Sequence, residues 1–157
     1  MNMKTGLFTG SFDPFTIGHA DIVARALPLF DRLVIGVVEG NVHKSHAQPI
    51  QARVDAIRRI YAAEPRVAVV PYSDLAVDLA QREQAGFIVK GVRSVKDFEY
   101  EHEMGEINRR LSGVETVLFL ASPELAHISS SLLRELQHYG RDISAFLPQP
   151  VTPDSLE

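Results

Sequence analysis

The chain predicts an α/β fold: a doubly wound, mostly parallel five-stranded sheet with helices on both faces. Short apolar runs recur at Gly6–Phe8, Leu33–Val38, Val67–Val70, Phe87–Val89 and Thr116–Leu120. Segments with apolar residues at helical spacing lie between them, and strand–helix alternation along one chain is the pattern of a parallel sheet. The polar and glycine-bearing stretches fall where strands hand over to helices, the carboxyl edge at which such sheets bind ligands.

The first run, Gly6-Leu7-Phe8, passes through Thr9–His19 into a helix marked by Ile22, Val23, Ala26, Leu27 and Phe30. Leu33–Val38 is continuously apolar and β-branched, as in a strand buried on both faces. The polar segment Glu39–Gln48 follows as a loop and holds His43, Lys44 and His46. Pro49 is expected at the first position of the next helix, whose apolar residues are Ile50, Val54, Ile57 and Tyr61, with Arg53, Arg58 and Arg59 between them. Val67–Val70 is the third strand. Leu75, Leu79 and Ala80 mark a helix to about Gln84 that Gly86 breaks. Phe87-Ile88-Val89 is the fourth strand and runs directly into Lys90-Gly91-Val92-Arg93. Ser94 and Asp97 have capping-box spacing. The helix they open is expected to bury Tyr100, Met104, Ile107 and Leu111 on one stripe and to stop at Gly113. After the fifth strand, Ser129-Ser130-Ser131 precedes Leu132, Leu133 and Leu136, which puts the serines at a helix N-terminus. From about residue 148 the proline-bearing tail is expected to be irregular.

The 157 residues are enough for one core, and residues 1–157 read as a single domain. A net charge of −4 argues against nucleic acid as a partner. No apolar run is long enough to span a bilayer, and Met1-Asn2-Met3-Lys4 lacks a signal-peptide pattern. A cytoplasmic protein without a membrane partner is expected. There is no cysteine, which excludes disulfides, thiolate metal sites and a cysteine nucleophile. His43, His46, Asp13 and Asp55 have no zinc-ligand spacing, so no protein-only metal cage is expected. Magnesium would arrive with a nucleotide, held mainly by its phosphates and by water.

The chemistry is concentrated at four places. In Thr9–His19, a strand, a loop of small residues and a helix put a helix N-terminus under a phosphate. There Gly10 and Gly18 permit close backbone approach, and His19 adds a titratable ring. Lys90 and Arg93 form a cationic clamp, Arg giving bidentate contacts and Lys a point charge; Lys44 is a third cation. Glu101 and Asn108, seven residues apart, share a helix face, the first suited to a ribose or adenine and the second to an amide. The three serines offer hydroxyls and N–H groups at a positive helix end. Taken singly, each has a plain structural reading: a loop that binds nothing, a surface ion pair, a solvated helix face, a serine cap. The joint spacing favours an anion site.

Gly10-Ser11-Phe12-Asp13-Pro14 with Thr16-Ile17-Gly18-His19 resembles the signature of nucleotidyltransferases that carry an H-x-G-H-type element. Lys90-Gly91-Val92-Arg93, Asp97-Phe98-Glu99-Tyr100-Glu101 and Ile128-Ser129-Ser130-Ser131 with Arg134-Glu135 follow in the same order. From Lys4 to about Pro148 the chain resembles the bacterial phosphopantetheine adenylyltransferases. The resemblance implies adenylyl transfer from ATP to 4′-phosphopantetheine, giving dephospho-coenzyme A and pyrophosphate, with magnesium and a homohexamer. It implies His19, Lys44 and Arg93 as catalytic groups, with His19 stabilising charge at the α-phosphate. ATP would be held by Ser11, Phe12, His19, Gly91, Val92, Arg93, Glu101, Leu125, Ala126, His127, Ile128, Ser129, Ser130 and Ser131. Phosphopantetheine would be held by Ser11, Lys44, Ala76, Lys90 and Asn108. Three positions depart from the pattern: Ser11 stands where threonine is common, Lys90 where arginine is usual, and Leu125 where some members have an aromatic residue. A related nucleotidyltransferase acting on nicotinamide mononucleotide or glycerol phosphate is the neighbouring enzyme reading. A nucleotide-binding regulatory module without turnover is the non-enzymatic one.

Overall fold

Side chains alternate across a strand, and in this chain both sets are apolar, so each strand needs cover on both faces. The fold is that of a computed structural model describing residues 3–40 and 46–153. Five strands are present: β1 Thr5–Gly10, β2 Arg32–Val38, β3 Val67–Tyr72, β4 Phe87–Val92 and β5 Glu115–Leu120. They form one sheet in the order β3-β2-β1-β4-β5, and all four pairings are parallel. The helices are α1 Ile17–Ala26, α2 Ile50–Ile60, α3 Ala76–Arg82, α4 Val95–Ser112 and α5 Ser130–His138.

The alternation is visible in the core. Phe8, Leu33, Ile35, Val37 and Val89 face α1 and α2, packing with Ile22, Val23, Val54 and Ile57. Leu7, Val34 and Ile88 face the opposite way, against Val77, Leu79 and Ala80 of α3. A third cluster joins α5 to the chain after it through Ile128, Leu133 and Ile143. The tail from residue 148 lacks regular structure up to Pro153 apart from a terminal turn, yet it is docked: the Val151 amide donates to the Ile60 carbonyl at 2.8 Å.

Several boundaries differ from the sequence reading, each for a local reason. Phe30 is not on the first helix. Pro28 sits in a 3₁₀ turn, Leu27–Leu29, after Ala26, and Phe30 is extended beyond it. A proline has no N–H with which to continue an α-helix. Pro49 is the cap of α2 rather than its first helical residue, with ψ at 157°. Helix α3 stops at Arg82, and the turn is made by Gln84 at φ 56°, two residues before Gly86. Only half of the Ser94–Asp97 capping box forms. Ser94 Oγ accepts from the Asp97 amide, but Asp97 accepts from the Arg93 amide instead of that of Ser94. Gly113 ends α4 in the left-handed region at φ 77°, as expected.

The largest difference concerns α4. Tyr100, Met104, Ile107 and Leu111 are 62%, 39%, 53% and 61% exposed rather than buried, and none of the helix's residues is buried. Helix α4 lies against β4, β5 and α3, but its apolar stripe is turned away from them.

Candidate active site

The strand order reverses between β1 and β4, and a cleft of about 620 Å³ opens there. That is the position at which open parallel sheets bind ligands. Its walls come from the loop after β1, the first turns of α1 and α4, the end of β4, and the segment leading into α5.

His19 is fixed by its own helix cap. Thr16, the cap residue of α1, accepts on its hydroxyl from the Gly18 and His19 amides at 3.2 and 3.3 Å. The Thr16 amide donates to His19 Nδ1 at 3.0 Å, and the Thr16 hydroxyl lies 3.2 Å from the same nitrogen. A nitrogen that accepts a backbone N–H carries no proton, so the neutral ring is protonated on Nε2. Phe15 stacks on the ring at 5.3 Å between centroids and Phe12 meets it edge-on at 5.0 Å. Burial, with the Arg93 guanidinium as a second cause, pushes the His19 pKa down from 6.5 to about 4. At neutral pH His19 is therefore an uncharged hydrogen-bond donor on the cleft wall.

The loop that carries Ser11 is held from several sides. Asp13, 2% exposed, accepts from the Ala47 amide at 2.8 Å. Arg134 donates to the Asp13 carbonyl at 2.7 Å, and the Ser130 hydroxyl to the Pro14 carbonyl at 2.8 Å. Phe12 adopts φ 49°, a region that costs a bulky residue about 1–3 kcal/mol and persists only where the surroundings impose it. Gly10 serves that packing: a Cβ there would stand 3.0 Å from the Phe12 ring.

Among the sequence candidates, Ser11, Phe12, His19, Lys90, Gly91, Arg93, Glu101, Leu125, Ile128 and Ser129–Ser131 all line this one cleft. Arg93 Nε is bound to Asp97 at 3.2 Å, which orients the guanidinium. Lys90 Nζ reaches the Thr9 carbonyl at 3.4 Å. The serines divide their roles. Ser129 caps α5, Ser130 ties the helix to Pro14, and Ser131 accepts from Arg134 at 3.2 Å.

Val92, Ala126, His127, Ala76 and Asn108 do not line the cleft. Val92 is buried in β4, and its carbonyl accepts from Ala121. The Ile128 amide donates to the Leu125 carbonyl, and this turn keeps its two ends on the cleft and its middle residues off it. Ala76 packs on the α3 side of the sheet. Asn108 is about 10 Å further along α4 than Glu101, at 1.5 Å per residue. Lys44 lies outside the described residues.

Asp21, Ser122 and Lys96 line the cleft without having been singled out by sequence reasoning, and Asp97, Tyr100 and Arg134 line it though no ligand role was given to them. Ser122 donates to Asp21 at 2.9 Å, tying the chain after β5 to α1. Arg134 stood inside a recognised motif with no role attached. Its position one helical turn after Ser130 and Ser131 was the available signal.

Cations from Lys90, Arg93, Lys96 and Arg134 therefore meet a neutral donor and the N-terminus of α5 around one space. This is a donor set for a polyphosphate. Among the described residues no group of three or more His, Asp or Glu side chains is arranged to hold a metal ion. Nor is any described helix long and apolar enough to cross a membrane.

Residues 7–136 match the cytidylyltransferase-like family model. The chain is 47% identical over 147 residues to a phosphopantetheine adenylyltransferase of Bacteroides thetaiotaomicron, covering 94% of this chain and 97% of that one. It is 48% identical to the phosphopantetheine adenylyltransferase of Bacteroides fragilis, with the same coverage. Among solved structures it resembles a bifunctional NMN adenylyltransferase/ADP ribose pyrophosphatase from Francisella tularensis, with a TM-score of 0.68 at 12% identity. That likeness covers 93% of this chain and 44% of the other, and it is a likeness of fold. With the switch-point cleft, the capped His19 and this identity along nearly the whole length, the chain belongs to the phosphopantetheine adenylyltransferase family of cytidylyltransferase-like nucleotidyltransferases.

Proposed function

We propose that the chain transfers the adenylyl group of ATP to 4′-phosphopantetheine in the switch-point cleft. A phosphate oxygen of phosphopantetheine attacks the α-phosphorus, and the bond from that phosphorus to the bridging oxygen breaks. Dephospho-coenzyme A and pyrophosphate leave. The nucleophile is already an anion, so no general base is required. Catalysis rests on positioning and on stabilising charge at the α-phosphate. The observation that carries this reading is the neutral His19, protonated on Nε2 and facing the same space as Arg93 and Lys90.

In this reading Arg93 and the α5 N-terminus hold the triphosphate, and Gly91 and Glu101 with Leu125–Ile128 hold the nucleoside. Ser11, Lys44 and Lys90 take the incoming phosphate. The pantetheine arm runs along α3 and α4 towards Ala76 and Asn108. Magnesium bound to the ATP phosphates would supply charge neutralisation there. The donor set suits that role: of the carboxylates on the cleft wall, Asp13 already accepts from the Ala47 amide, Asp21 from Ser122 and Arg25, and Asp97 from Arg93, so phosphates and water would supply most ligands. The enzyme acts in the cytoplasm as a homohexamer. The exposed apolar stripe on α4 favours self-association through that helix.

The test is incubation with ATP, magnesium and 4′-phosphopantetheine, with the products read by mass. Dephospho-coenzyme A and pyrophosphate are expected. Turnover of nicotinamide mononucleotide or glycerol phosphate instead would reassign the acceptor, and ATP binding without pyrophosphate release would reduce the chain to a nucleotide-binding module.

A further inference from the structure

Arg53 is 1% exposed and lies behind the cleft wall, not on it. Its guanidinium donates to four carbonyls in three segments: Ser11 at 2.8 Å, Val38 at 2.9 Å, Glu39 at 3.2 Å and Gln48 at 3.0 Å. These are the loop after β1, the end of β2 and the lead-in to α2. Burial pushes the arginine's pKa down, and the carboxylates of Asp13 and Glu39 push it back up. A buried cation is a poor source of net stability, since well-packed apolar residues often serve as well or better. Arg53 supplies something an apolar side chain does not: a fixed distance between loops.

One of the four carbonyls matters for chemistry. The Ser11 carbonyl belongs to the peptide that leads into Phe12, the residue at φ 49° whose ring meets His19 edge-on. We propose that Arg53 is a positioning residue for adenylyl transfer: it grips the Ser11–Phe12 peptide from behind, keeps the Phe12 ring closed on His19 and keeps Ser11 facing the cleft. This rests on the adenylyl-transfer reading. The other groups that face His19 are Thr16 from its own cap, the rings of Phe8 and Phe15, and Arg93 as the charged neighbour.

Arg53→Lys keeps the charge but cannot span four carbonyls, and Arg53→Gln keeps an amide donor without charge. Both are compared with the wild type by thermal melting, by kcat and KM for each substrate, and by NMR titration of His19. The folded lysine variant is expected to lose about tenfold or more in kcat, on the scale of a small misplacement, with KM for ATP changed less than about threefold. Its His19 midpoint should rise from about 4 towards 6.5 as the ring cage loosens. A merely structural role would lower the melting temperature without moving that midpoint. Folded variants with wild-type kcat, or with His19 still titrating near 4, overturn the proposal. Failure of both variants to fold also overturns it, by assigning Arg53 to stability. Wild-type protein that makes no dephospho-coenzyme A sinks the underlying reading instead, and the His19 midpoints then decide the positioning claim alone.

Discussion

Between Ser11 and His19 the carbonyls of Ser11, Asp13 and Pro14 and the side chains of Asp13, Thr16 and His19 all find partners within the chain. Along α4, by contrast, Met104, Ile107 and Leu111 remain 39–61% exposed on one stripe. The first region is closed by long-range contacts before any ligand arrives, so its donors need no reorganisation at the moment of reaction. The second is apolar, regular and uncovered. The irregular loop is turned inward to build a site, while the regular apolar stripe is turned outward.

The contrast breaks most sharply at His19. Replacing it with Ala should lower kcat by roughly 10²–10³, the scale of losing one preorganised donor to a developing oxyanion, with folding intact. A steady-state assay that finds kcat unchanged removes His19 from the transition state. On the other side, for the proposed homohexamer, Ile107→Glu or Leu111→Glu should reduce the mass to smaller species on size-exclusion chromatography with light scattering. Monomer stability should change by only about 0.5 kcal/mol, because the site is exposed. Unchanged mass would show that α4 is not the face that assembles. A finer cut separates the cap from the ring. Thr16→Val removes the hydroxyl that accepts from Gly18 and His19 but leaves the Thr16 amide on Nδ1. Urea unfolding should register a loss of about 1 kcal/mol, as for other caps, while the tautomer of His19 is retained.

What was legible in the sequence was local. The apolar runs of β1 and β2, the strand–loop–helix passage that ends at His19 and the stop at Gly113 are set by near neighbours, and they were found. Arg53 was seen only as a polar residue on a helix. Its partner Ser11 is 42 residues away, and the Arg134 contact to Asp13 spans 121. No periodicity reports such separations. The α4 stripe fails for a different reason: spacing identifies an apolar face but not which surface covers it. Phe30 and Pro49 were misplaced by a residue or more because helix ends are decided by whether the next amide has a partner.

His19 also ties stability to pH with a definite sign. Its folded pKa of about 4 lies below the unfolded 6.5, so between those values the unfolded chain binds more protons. Stability is full above 6.5 and falls as pH drops towards 4, by on the order of 1 kcal/mol or more from this residue. His19→Gln should flatten that part of the profile.

The most direct test of a neutral, pre-set donor is ¹⁵N NMR of the His19 imidazole from pH 4 to 8. A ring protonated on Nε2 alone throughout pH 6–8, gaining its second proton only near pH 4, is the expected result. An imidazolium at pH 7, or a neutral ring protonated on Nδ1, would contradict it.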